Sequence, residues 1–240
     1  VAGILYAGTS GFAYPTWAPR FYDPGTRGSA LLQEYAARLP AVELNNTFYQ
    51  QPRPERVAAW LAATPSSFRF AVKAQRGAIM RGLGEKPADA IGWLTPPYRL
   101  FGERLGSVLL GVPDRVPRDD GRLTALLAAW PPDLPLTVEF RHPSWVDDGV
   151  HALLAERGAV LCATDLDDAP PPDLRLTGPF VYLRLRRTSY SASELASWAG
   201  RLAAFLADDR DAYVFFRHDV TGESAQRAMA LREHVDRLAG

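Results

Sequence analysis

Eight short β-rich runs recur along the chain, and most are separated by stretches with a helical pattern. The runs are "ILYAG" (4–8), "AVELN" (41–45), "RFAVK" (69–73), "SVLLGV" (107–112), "LTVEFR" (136–141), "AVLCA" (159–163), "FVYLRL" (180–185) and "AYVFFR" (212–217). Strands that alternate with helices imply a parallel sheet covered by helices. Eight such units in 240 residues match a TIM-type (β/α)8 barrel. The expected fold is therefore α/β, one barrel domain over residues 1–240. Two links depart from the repeat. The link from strand six to seven, "TDLDDAPPPDLRLTGP", holds three consecutive prolines and cannot carry a full helix, so that helix should be reduced or missing. The link from strand three to four, "GLGEKPADAIGWLTPP", reads as more loop than helix. An open doubly wound sheet is the alternative architecture, but "GTSGF" after strand one lacks the GxGxxG spacing of a dinucleotide site.

Parity along the strands selects the residues that enter the barrel, because alternate side chains point inward and the others meet the helices. Val42 and Leu44 share one face of strand two, leaving Glu43 and Asn45 on the other. Val138 and Phe140 likewise oppose Glu139 and Arg141, and Leu183 and Leu185 oppose Tyr182, Arg184 and Arg186. Lys73 ends strand three and Arg217 ends strand eight on the same inward parity. The polar members fall late in each strand, at the C-terminal mouth where barrel active sites lie. Asp165, just beyond the strand-six run, is a further candidate whose direction parity does not fix. Three acids against five bases leave the mouth cationic, which suits an anionic ligand.

Composition narrows the classes. The formal net charge is zero, so no global field draws the chain to a nucleic-acid duplex or an anionic membrane. No basic-then-apolar leader opens the sequence and no apolar run reaches membrane length, so the expectation is a cytoplasmic protein with no membrane partner. Cys162 lies in an apolar run and reads as a small buried hydrophobe. There are 25 Arg and two Lys, Lys73 and Lys86. Lys73 gains interest from that imbalance, because Arg supplies charge equally well but cannot act as a base.

The blocks "YAGTSGFAYPTWAPRFYDP", "VELNNTFYQQP", "FAVKAQR", "VEFRHPSW", "TDLDD", "YLRLRRTSY" and "YVFFRHDVTG" occur in this order over nearly the whole chain. Together they resemble the YecE-like family, domain of unknown function 72. The resemblance implies a TIM-type barrel and no established activity. Its motif positions fall here on Gly8, Tyr14, Trp17, Phe21, Tyr22, Glu43, Asn45, Phe48, Tyr49, Lys73, Glu139, Arg141, Trp145, Asp165, Arg184, Tyr190 and Arg217. The segment "GAIMRG" stands where members commonly carry a Thr–His pair.

These residues define an expected site. Glu43, Lys73 and Glu139 are the catalytic candidates, the two carboxylates moving a proton and Lys73 stabilising developing negative charge. Tyr14, Asn45, Tyr49, Arg141, His142, Asp165, Arg184, Arg186, Tyr190 and Arg217 are the substrate-binding candidates. A phosphate site is expected between strands seven and eight, near Arg184, Arg186 and Ser191. No HExxH or close ligand pair is present, so no metal is expected, and no cofactor is named by the residues. The leading expectation is an enzyme acting on a phosphorylated small molecule, nucleotide or nucleic-acid end. A non-catalytic module binding an anionic ligand is the alternative, and a carbohydrate-active barrel using the paired Glu is another.

Overall fold

The computed structural model describes residues 2–239. Eight parallel strands close into one barrel in sequence order: β1 (Leu5–Ser10), β2 (Ala41–Leu44), β3 (Arg69–Lys73), β4 (Leu105–Val112), β5 (Leu136–Phe140), β6 (Val160–Asp165), β7 (Phe180–Leu185) and β8 (Asp211–Phe216). Helices α1 (Ala30–Arg38) and α2 (Pro54–Ala62) follow the first two strands. Then come α6 (Asp120–Ala129) after β4, α7 (Asp148–Glu156) after β5, α8 (Ala192–Ala207) after β7 and α9 (Glu223–Ala239) after β8. This is the TIM-type barrel that the alternation of runs predicts.

Among the described residues no helix follows β6, and 166–179 cross to β7 as a loop, as the prolines require. The link from β3 to β4 is more ordered than its composition suggests. It folds into three short helices, α3 (Ala78–Gly82), α4 (Pro87–Leu94) and α5 (Pro96–Arg99). Prolines open α4 and α5, where the missing N–H costs nothing, so the residues that look like helix breakers start helices instead. No helix among the described residues is long and apolar enough to cross a membrane.

Parity builds two cores. Outward residues such as Val42, Val72, Leu110 and Leu183 pack against the helices. Inward residues, among them Tyr6, Ala71, Leu109, Cys162, Tyr182, Tyr213 and Phe215, fill the barrel. Large rings need small neighbours there. Tyr213 stacks on Tyr6 at 4.8 Å between ring centroids, and a Cβ at Gly106 would come within 2.5 Å of the Tyr213 ring.

The seam between β5 and β6 is short. Their register covers Thr137 opposite Val160 and Val138 opposite Leu161, whereas β7 and β8 pair over six positions. Past Leu161 a side chain bridges the two strands: the Thr164 hydroxyl donates to Glu139 Oε1 at 3.0 Å.

Candidate functional site at the barrel mouth

Arg184 is the centre of the mouth and is 1% exposed. Its Nη1 donates to Glu139 Oε1 at 2.7 Å, and its Nη2 donates to Glu43 Oε1 at 2.9 Å. The β2, β5 and β7 backbones present these three side chains on the inward parity. Glu43 also accepts from the Ser10 hydroxyl at 2.7 Å and from the Tyr182 hydroxyl at 2.8 Å. Arg141 Nη2 donates to Glu139 Oε2 at 3.1 Å from the solvent side.

Burial alone would push both carboxyls up. For Glu139 the charges of Arg184 and Arg141, with the Arg184 and Thr164 hydrogen bonds, outweigh it and bring the pKa down to about 2. Burial of Glu43 is likewise outweighed by Arg184, Arg186 and Ser10, and its pKa is lowered. Both are thus held as carboxylates and are weak bases. The proton-carrying role expected of them is poorly served, and paired-carboxylate sugar chemistry lacks its protonated acid.

Lys73 is different. The Thr47 hydroxyl lies 2.7 Å from the carbonyl oxygens of both Leu44 and Lys73 and shares its one proton between them, and the Arg76 N–H donates to the Phe48 carbonyl at 2.6 Å. These bonds pin the turn after β2 so that the Phe48 ring lies 4.5 Å from Lys73 Nζ, centroid to nitrogen. Among the described residues no carboxylate lies within 4.0 Å of that nitrogen. Burial, followed by the charge of Arg184, lowers its pKa, with Glu43 and Glu139 pulling the other way. Lys73, Arg76, Arg115 and Arg141 line one recess of about 410 Å³.

A second recess, of about 700 Å³, opens beside β7, β8 and β1, with Tyr14, Arg186, Arg217 and His218 in its wall. Arg186 Nη1 donates to Ser10 Oγ at 2.9 Å. Neither Arg186 nor Arg217 makes a salt bridge among the described residues. Burial and the neighbouring Arg184 lower the Arg186 pKa, the mark of a cation short of counter-charge. Asp219, in the same wall, is occupied. Its carboxylate accepts N–H groups from Thr221 to Ser224 at the start of α9. Tyr14 stacks on His218 at 5.2 Å.

The structure brings Glu43, Lys73, Glu139, Arg141, Arg184, Arg186 and Arg217 to the mouth, with Tyr14 at its rim. Other candidates lie elsewhere. Asp165 is the last residue of β6 and shares its parity with Leu161 and Ala163, so it faces the helices. There it accepts from Arg187 Nε at 2.8 Å and Trp198 Nε1 at 3.3 Å. Tyr190 is buried on the same side, its hydroxyl accepting the Arg187 N–H at 3.2 Å. The His142 ring caps the turn that follows it, Nδ1 accepting the Ser144 N–H at 3.2 Å. Tyr49 is 75% exposed and packs edge-on against Phe48. Asn45 is half-buried at the head of the turn that carries Phe48, and its side chain makes no cap bond there.

The expected phosphate partners also change. Both Arg184 Nη atoms are taken by carboxylates, and Ser191 caps α8 in a closed box with Glu194, whose carboxylate already fills that helix start. Sequence reasoning missed Ser10 and Thr164. Both have the inward parity of their strands, and the same test extended to hydroxyls finds them. Arg187 carries no such signal. Among the described residues no group of three or more His, Cys, Asp or Glu is placed to hold a metal ion.

Comparison with known proteins agrees with the barrel fold. The family model described as "Protein of unknown function DUF72" matches residues 6–239. The UPF0759 protein YunF of Bacillus subtilis is 25% identical, covering 97% of this chain and 95% of that protein. The UPF0759 protein YecE of Escherichia coli K12 is 28% identical over 65% of this chain and 55% of its own length. A crystal structure of a DUF72 family protein from Thermotoga maritima superposes with a TM-score of 0.85 at 25% identity, covering 97% of this chain and 99% of that one. A DUF72 family protein from Enterococcus faecalis, at 20% identity and a TM-score of 0.78, shares the fold. With its barrel closed and its family model spanning nearly every residue, the chain belongs to the DUF72 family, whose function is unknown.

Proposed function

We propose that the mouth binds a phosphorylated small molecule, nucleotide or nucleic-acid end and acts on it. The observation that carries this reading is the pair Arg186 and Arg217, two guanidinium groups in one recess with no carboxylate bound to either among the described residues. An oxyanion there accepts charge-assisted hydrogen bonds from both and relieves the penalty on Arg186. Lys73, in the other recess of the mouth, is the side chain best suited to meet charge that develops on the ligand, because its nitrogen has an aromatic face beside it and no carboxylate within 4.0 Å among the described residues. Glu43 and Glu139 fix Arg184 and set the field; they position and do not carry protons.

Calorimetric titration with inorganic phosphate and pyrophosphate tests the reading. Arg217→Ala and Arg186→Ala should each weaken binding by about tenfold, the scale of one charged hydrogen bond. Added salt should weaken it further. No binding by wild type at millimolar pyrophosphate, or equal affinity in all three proteins, overturns it.

A further inference from the structure

We propose that Lys73 is a covalent catalytic residue, its amine forming an imine with the carbonyl carbon of a small ligand that also carries a phosphate or carboxylate. The inference rests on the anion-binding reading of the mouth, extends it to the recess that Lys73 lines, which is distinct from that of Arg186 and Arg217, and names the substrate class there. Three observations support it. Lys73, at the end of β3, lines the recess together with the Phe48 ring that its Nζ faces, so a ligand in the recess meets this side chain. The groups around it deny it the usual lysine partner: Glu43 and Glu139 are both bound by Arg184, Arg141 takes the outer oxygen of Glu139, and the Phe48 ring covers one side. An amine so placed gives up its proton more readily than one in an ion pair, and the free amine is the nucleophile. Burial and the charges of Arg184 and Arg141 act in that direction, against Glu43 and Glu139.

The recess also defines the ligand. Arg76, Arg115 and Arg141 line it against one carboxylate, Asp114. A carbonyl carbon near Lys73 Nζ therefore leaves an attached anion among guanidinium groups, which orients the ligand before reaction. The step balances without an oxidant or reductant. The neutral amine adds its lone pair to the carbonyl carbon, and the nitrogen sheds one proton as the carbonyl oxygen takes one up, through solvent, to give a neutral carbinolamine. The nitrogen then expels that oxygen as water, with one further proton, leaving an iminium that holds the positive charge.

The test uses the whole chain with dihydroxyacetone phosphate, dihydroxyacetone and pyruvate, each with cyanoborohydride, followed by peptide mass mapping. Cyanoborohydride delivers hydride to the iminium carbon and makes the adduct permanent. The only other lysine, Lys86, is exposed and serves as an internal control. Dihydroxyacetone phosphate should label Lys73 at least about tenfold more than Lys86, and more than unphosphorylated dihydroxyacetone labels Lys73. Lys73→Met should remove that adduct. Labelling of Lys86 to the same extent as Lys73 by every probe overturns the covalent role even where phosphate binding stands. Selective Lys73 labelling that is equal for dihydroxyacetone and its phosphate keeps the reactive amine and overturns the anionic substrate class. The wild-type measurement decides each case whether or not the variant folds.

Discussion

Arg184 joins Glu43 to Glu139, so a single guanidinium holds carboxylates from β2 and β5 together across the mouth. The arrangement is nearly sealed: Arg184 and Glu139 are 1% and 2% exposed, and Glu43 is 0%. Two carboxylates around one cation would be unfavourable without Arg141 and Arg186 nearby and the hydroxyls of Ser10, Tyr182 and Thr164, which complete their hydrogen bonding. Arg184→Met should cost roughly 3–5 kcal/mol, because it strands both acids. Adding Glu43→Gln and Glu139→Gln to that variant should recover part of the loss. Urea unfolding measures both, and a loss under about 1 kcal/mol in the single variant contradicts the buried cluster.

Acid should expose the same coupling. Folding lowers the Glu139 pKa from about 4.5 to about 2, so the unfolded chain binds the proton first as pH falls. The stability this group contributes is complete above about 4.5 and is lost as pH falls toward about 2. Melting temperature should drop through that window, and Glu139→Gln should flatten the drop while lowering the plateau above it. An unchanged acid slope in the variant means that another carboxylate controls it.

Asp165 and Arg187 form a separate buried contact behind the barrel wall. Arg187→Met should destabilise the fold by about 3 kcal/mol, since it leaves a fully buried carboxylate with no cation against it and only neutral donors such as the Trp198 indole N–H. Pairing it with Asp165→Asn should recover much of that. Phosphate affinity should stay unchanged in Asp165→Asn, and a fall of tenfold would return Asp165 to the site.

Gly8 is held by a close approach of β1 to β2. A Cβ there would lie 1.9 Å from the Ala41 carbonyl oxygen, a backbone atom that cannot swing away. Gly8→Ala should therefore cost about 1–3 kcal/mol or more, as overpacking does. A melting temperature within a degree of wild type would show that the strands part without strain.

Strand parity was legible wherever a run was long enough to set its phase, and it placed Glu43, Lys73, Glu139, Arg141, Arg184, Arg186 and Arg217 correctly. It failed for Asp165 because strand six extends two residues past the apolar run "AVLCA", through Thr164 and Asp165. A polar strand end looks like a loop, so the outward phase of Asp165 was hidden. Tyr49, His142 and Tyr190 lie beyond the strand ends, where no period gives a direction and aromatic character cannot separate stacking on a ligand from stacking on the protein. Parity also says where a side chain starts but not what consumes it. Arg184 reached the expected place, yet both of its Nη atoms are bonded to acids rather than left for a phosphate.

The brief pairing of β5 with β6 leaves Glu139 laddered on one flank only, through five register pairs to β4, while its other flank meets β6 beyond the last backbone pair. Glu43 rises from a strand laddered to β1 over three register pairs and to β3 over four. Glu139 lies just past the two pairs that tie β5 to β6, on the free jamb of that opening. When the barrel breathes, the wall yields first where the fewest backbone bonds resist. There the Thr164 hydroxyl and the Arg184 guanidinium act as a side-chain latch, tying Glu139 to β6 and β7 where the backbone ladder has stopped.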